Sequence, residues 1–370
     1  MSLRYRSLFL ALTLLINTAE CVTQARLKFE KWFPYYSEEF QSILQNCTQE
    51  LEAYRVNNRT FCYSNCACVA DCVLEEVKET TKSNMASASI VLGLMPSVLA
   101  LLAPSIAEMA LLSARAPFLA GILCFGCPAA RYGGMPDIKA VLAAKDSKVL
   151  AAFQTFVQNS SASARTVLRI FLYGLTLASV ANTVEMSIRV DLRTISGWRC
   201  GQLFMPLIWS EMTFVTFALG MIAMRTRISR PASDTHGKDD RQRLIADAAR
   251  TRSTFSNFRF DMDNFHRLAS AEDTATTEFV WFLSLFAAVA QTSFGVLVLS
   301  SLVFISIVDS IPLFVRYAAS CIVARLIVTF ELTSARLERT EEQGSYGMLE
   351  QSGLELQDVN ATRKSVVSTK

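Results

Sequence analysis

"ASASIVLGLMPSVLALLAPSIA", Ala86–Ala107, runs for twenty-two residues without a charged side chain. A helix of that length crosses about 30 Å of hydrocarbon. The stretch is apolar all round rather than along one stripe at period 3.6, which excludes the surface helix of a soluble domain. Pro96 and Pro104 are expected to kink it. Transmembrane helices tolerate this when neighbours re-satisfy the freed carbonyls.

The same pattern recurs at Val167–Met186, Leu203–Met224, Phe279 to Val308 and Leu313 to Leu332. The 370-residue chain is 51% apolar and 19% charged, against about 25% charged in ordinary globular domains. Met109–Cys127, "MALLSARAPFLAGILCFGC", is ambiguous: Arg115 interrupts it and Pro117 follows. It reads as a re-entrant hairpin or a further span. The fold expected is all-α, a polytopic helical bundle of five spans, or six if Met109–Cys127 crosses. The segments are 86–127 (one span plus the ambiguous stretch), 167–224 (two spans) and 279–332 (two spans), with 128–166 as a loop.

Before the first span lies a short head. Arg4 and Arg6 precede a nine-residue apolar run, Leu8–Ile16, too short to span, and then "NTAEC" with Ala19 as a cleavage position. Residues 1–21 therefore read as a secretory signal peptide. Residues 22–85 read as an extracytoplasmic head carrying two sequons, at Asn46 and Asn58. Export to an oxidising compartment makes disulfides the expected state of Cys21, Cys47, Cys62, Cys66, Cys68 and Cys72. The run "CYSNCACVADC", Cys62–Cys72, lacks the paired knuckles of a zinc ribbon and the C-x-x-C of a redox motif. It reads as a staple, with Cys47 a candidate partner; six cysteines allow 15 pairings. Such staples suit a head too small to bury much core. Its aromatic run "FEKWFPYYSEEF" reads as that small core, or as a binding patch.

Loop charge sets the orientation. The loop 225–278 carries ten Lys/Arg, 128–165 carries five and 187–202 carries three. Placing the two richer loops in the cytosol puts the C-terminus there too. It also makes Met109–Cys127 dip and return, leaving Asn159 cytosolic. The tail, residues 333–370, is polar and reads as disordered.

The net charge of +3 gives no reason to expect nucleic acid. The two histidines, His236 and His266, both fall in the loop 225–278. Neither H-E-x-x-H, a P-loop nor a mid-span aspartate is present, so no enzyme, cofactor or metal is expected. The charges expected at membrane depth are Glu211 and Arg325, with Arg316 and Glu331 nearer the ends of their block and Glu108 and Arg115 flanking the ambiguous turn. Such groups face a bundle or a cavity; Glu211 is expected to pair with Arg325 or a polar neighbour, or to line a solute path.

The run "GLMPSVLALLAPSIAEMALLSARAPFLAGILCFGCPA", Gly93–Ala129, resembles a segment of large multi-pass membrane proteins of filamentous ascomycete fungi, and "DSIPLFVRYAASCIVARLIVTFEL", Asp309–Leu332, resembles their closing span. The resemblance implies architecture and no chemistry. In its light a Glu108–Arg115 pair is expected to hold the hairpin, with Ser113 a fixed part of the turn. Two functional readings stand: a non-enzymatic surface receptor or scaffold, with the lipid bilayer and a ligand or protein at the head as partners, or a transporter or channel using Glu211 and Arg325.

Overall fold

The computed structural model describes residues 28–56, 64–134, 161–198, 200–228 and 274–334. The signal peptide, Cys21, Cys62, Asn58, Asn159, the two histidines, most of the loop 225–278 and most of the tail lie outside the described residues.

Among the described residues, five helices are long and apolar enough to span a membrane. They are α4 (Glu79–Leu102), α7 (Ala162–Arg193), α8 (Met205–Ile228), α9 (Ala275–Ser300) and α10 (Ile307–Ser334). Each falls on one of the apolar blocks of the sequence, but two bounds differ: Pro104 ends the first block's helix at Leu102, and the block Phe279 to Val308 is divided between α9, which stops at Ser300, and the start of α10. The head supplies α1 (Ser37–Asn46), α2 (Thr48–Val56) and α3 (Asn65–Glu76). Between α4 and α7 the described residues form two ten-residue helices, α5 (Ile106–Arg115) and α6 (Pro117–Gly126). Each is about 15 Å long, half of what a span needs.

The face that α9 buries shows why these helices pack. Thr277, Trp281, Ser284, Ala288, Gln291, Gly295 and Val298 are all buried, a spacing of alternating fours and threes that keeps one seam on a left-handed pair. Its antiparallel partner is α8. Trp209 sits on Gly295, Thr213 Oγ1 accepts from Gln291 Nε2 at 2.8 Å, and Thr226 meets Thr277 at 3.3 Å. Small and hydroxyl side chains at such a seam let two backbones approach where lipid offers no hydrophobic drive. A Cβ at Gly295 would collide with the fully buried Trp209 indole. Gly295→Leu is therefore expected to destabilise the bundle by about 1–3 kcal/mol or more. Gly121→Ala, which meets nothing within 4 Å, should melt like the wild type in micelles.

The head is not a separate domain. Its core of Phe29, Trp32, Phe40, Leu44, Tyr54, Val69 and Val73 also contains Ile195 and Phe304, which lie on connections between spans. Phe304 stacks edge-on against both Trp32 and Phe40, each at 5.3 Å. Its backbone is left-handed, φ 67°, a conformation that costs a bulky residue about 1–3 kcal/mol. Burying the whole ring offsets this. The aromatic run of the head is therefore mostly core; Tyr35 is the exposed exception.

Two-residue strands tie the connections beneath. β1 (Ile195–Ser196) pairs antiparallel with β2 (Leu302–Val303). The α7–α8 and α9–α10 connections therefore share the head's side of the bundle. Two disulfides complete the join. Cys47–Cys72 staples α1 to α3, and Cys66–Cys200 crosses from α3 to the α7–α8 connection. Cys68 is disulfide-bonded too. Asn46 is exposed at the end of α1.

Candidate functional site: an interrupted hairpin in a polar seam

The chain breaks where α4 meets Pro104. Ser105 then opens α5 with a capping box: its hydroxyl accepts from the Glu108 amide at 3.1 Å, and the Glu108 carboxylate accepts from the Ser105 amide at 2.7 Å. The returning segment lies alongside this break. Ile106 N–H donates to the Arg131 carbonyl and Arg131 N–H to the Pro104 carbonyl, each at 3.2 Å. Arg131 also pairs with Glu108 at 3.4 Å. These bonds satisfy the backbone groups that a broken helix frees.

The hairpin reaches the far end of the bundle and comes back. Arg115, at the tip of α5, meets Glu331 at 3.7 Å and Ser334 at 3.0 Å, both in the last turn of α10. Ala116 and Pro117 then turn the chain, and α6 climbs until Gly126 lies beside Ser179 of α7. By helical rise that point is about 21 Å from the head end of α7. The hairpin therefore enters and leaves on one side, and the sixth-span alternative is set aside. The expected Glu108–Arg115 pair is corrected as well. The two residues stand at opposite ends of α5, and each has another partner. Ser113 is buried and donates to the Ala110 carbonyl at 2.7 Å.

Past Gly126 the backbone is irregular and buried within the bundle. The Gly126 carbonyl accepts from Ser179 Oγ at 2.9 Å and Thr183 Oγ1 at 3.1 Å. The Pro128 carbonyl accepts from Gln291 Nε2 at 2.8 Å. Gln291 Oε1, Thr216 Oγ1 and Ser284 Oγ are buried without a hydrogen-bond partner in the structure.

Above this point, toward the head, α7 and α10 share a polar ladder. Asn182 Nδ2 donates to Ser320 Oγ at 2.8 Å and to the Arg316 carbonyl at 2.9 Å. Arg316 returns a bond to Asn182 Oδ1 at 2.8 Å and pairs with Glu185 at 2.6 Å. Glu185 also pairs with Arg189. These three charged side chains are 38–43% exposed. One turn along, Ser187 bonds both Ser210 (3.2 Å) and the fully buried Tyr317 (2.8 Å).

Glu211 and Arg325 do not form the expected pair. Arg325 donates to the Leu101 carbonyl at 3.2 Å. Glu211 Oε1 is buried without a hydrogen-bond partner. Within this polar ladder, the residues that sequence reading missed are Asn182, Glu185 and Arg189. They stand at i, i+3 and i+7, a spacing that puts polar groups of an apolar block on one face.

The head meets the bundle at a second polar point. Lys28 Nζ pairs with Asp191 at 3.2 Å, both residues 3% exposed, and also donates to the Asp191 and Thr194 carbonyls. Burial pushes the Lys28 ammonium below its usual 10.5, against the pull of Asp191. An open groove of about 700 Å³ lies between α3, the start of α4 and the end of α9, lined by Asp71, Glu75, Lys82, Met85, Ser300 and Leu302.

Fold and seam together define an integral membrane protein whose described residues form five helices fit to span, an interrupted hairpin and a stapled head. Comparison with protein families, curated proteins and solved structures finds no match.

Proposed function

We propose that this protein moves a small polar or charged solute across the membrane, with the head on the extracytoplasmic side. The observation that carries the reading is the interrupted hairpin. Irregular backbone at membrane depth is tolerated where it is buried in protein or lines a cavity, and broken helices mark the binding sites of many transporters. Here the Gly126 and Pro128 carbonyls stand among side chains of α7 and α9. The partly exposed Arg189–Glu185–Arg316 cluster supports a watery entry, because charges within spans face water or each other. Disulfides in the head and the ten-cation loop 225–278 support the orientation. The protein acts without covalent chemistry in this reading.

Purified protein in sealed vesicles tests it, with rubidium, chloride and proton flux as probes. Wild-type vesicles should pass at least one of them above empty vesicles. Arg316→Gln should lower that flux at least tenfold, because it leaves Glu185 with one cation and Asn182 without its donor. Wild-type vesicles that pass none of the three would overturn transport.

A receptor-like reading is favoured by one observation: α3 is bonded through Cys66–Cys200 to the connection between two spans. A ligand in the neighbouring groove would then act directly on helix ends. This reading is the one left standing if no flux is found.

A further inference from the structure

Three cysteines keep free thiols among the described residues, Cys124, Cys127 and Cys321, and all three are fully buried. Cys127 follows the last residue of α6 in extended backbone, φ −114° and ψ 105°. Cys321 lies on α10, about 21 Å from its head end by helical rise. Their sulfurs face each other at 3.9 Å. Cys124 stands one turn earlier on α6, its thiol turned to the Ala120 carbonyl at 3.0 Å.

A buried thiol by itself behaves as a small apolar side chain. Two thiols brought face to face from separate elements, in a chain whose head cysteines are oxidised, present a paired soft donor. We infer that Cys127 and Cys321 form a two-sulfur site for a soft monovalent cation, of which Cu(I) is the biological representative. Thiolates select Cu(I) over hard cations. Zinc would need four ligands, and no group of three or more His, Cys, Asp or Glu able to hold a metal occurs among the described residues. Cys127 is outside the helix, so a small shift of its backbone sets the sulfur spacing without bending α10.

Each thiol gives its proton to solvent as its sulfur binds, so one Cu(I) displaces two protons and leaves one negative charge on the complex. The inference does not rest on the transport reading, since it concerns binding at rest and is measured without flux.

The test uses the full-length chain in micelles under anaerobic conditions, titrated with Cu(I) against the chromophoric chelator bicinchoninate. The wild type should take one Cu(I) per chain and show an ultraviolet thiolate–Cu(I) band. Cys127→Ser and Cys321→Ser should each weaken binding more than tenfold, while Cys124→Ser leaves it within about twofold. Thermal melts of the variants check that the bundle is intact. A wild type that fails to compete with the chelator would overturn the proposal. So would undiminished binding by the Cys127→Ser/Cys321→Ser double variant.

Discussion

Replacing Lys28 with methionine should destabilise the protein by about 3–5 kcal/mol, the usual effect of removing one partner from a buried ion pair. The loss comes less from the vanished attraction than from what remains. Asp191 would stay 3% exposed with no cation, and its Oδ2 already lacks a hydrogen-bond partner. The Asp191 and Thr194 carbonyls would also lose their shared donor. Changing both residues, Lys28→Met with Asp191→Leu, should recover most of the stability, because two apolar side chains of similar volume avoid the desolvation of both charges. Unfolding in micelles, followed for the two single variants and the double, measures this directly. Additive losses in the double variant would show that the pair is not coupled. The pH dependence has a definite sign. Between the lowered Lys28 value and 10.5 the unfolded chain holds a proton that the folded chain lacks, so this group makes stability rise with pH across that window. Lys28→Met should remove the slope.

Cys200→Ser is the second large effect. The bond it removes closes a sequence separation of 134 residues, and loss of such a cross-link costs about 2–4 kcal/mol. The consequence should be local as well as global. Ile195 and Phe304 belong to the head core only while the connections stay pressed against it. Amide exchange should therefore rise in α3 and in the β1–β2 pair, and the freed Cys66 thiol should become alkylatable. Cys47–Cys72 should survive, since it closes within the head. A variant with unchanged melting and unchanged exchange would mean that packing alone holds the head in place.

The spans were legible because a length rule decides them. Blocks of about twenty apolar residues have few other uses, and α4, α7, α8, α9 and α10 all fall on such blocks. The hairpin was half legible: Arg115 and Pro117 mark an interruption, but only packing against Ser179, Glu331 and Gln291 shows that α6 climbs back and stops. Staple chemistry could be read from the expected export and from the clustering of the cysteines. Cys66–Cys200 could not, because its second half stands alone in a distant connection. The sole hint was that Cys200 is a cysteine in a connection on the head's side. The pairing of Glu211 with Arg325 failed for a geometric reason. Being inside two spans fixes neither depth nor helix azimuth, and the Arg325 guanidinium found the broken end of α4 at Leu101 instead. Lys28, near the unremarkable start of the head, gave no sequence signal that its ammonium would be buried against a carboxylate 163 residues away.

The fold turns on a hairpin that returns to the side it entered from. Two added cysteines test this, Gln49→Cys on α2 in the head and Ser161→Cys just before α7. Both positions are exposed, and the free native thiols of the bundle are buried and silent. Labelling intact cells with a membrane-impermeant maleimide should mark Gln49→Cys at once and Ser161→Cys only after the membrane is opened. Equal labelling of both before opening would rule out the returning hairpin, since α5 and α6 would then have to cross.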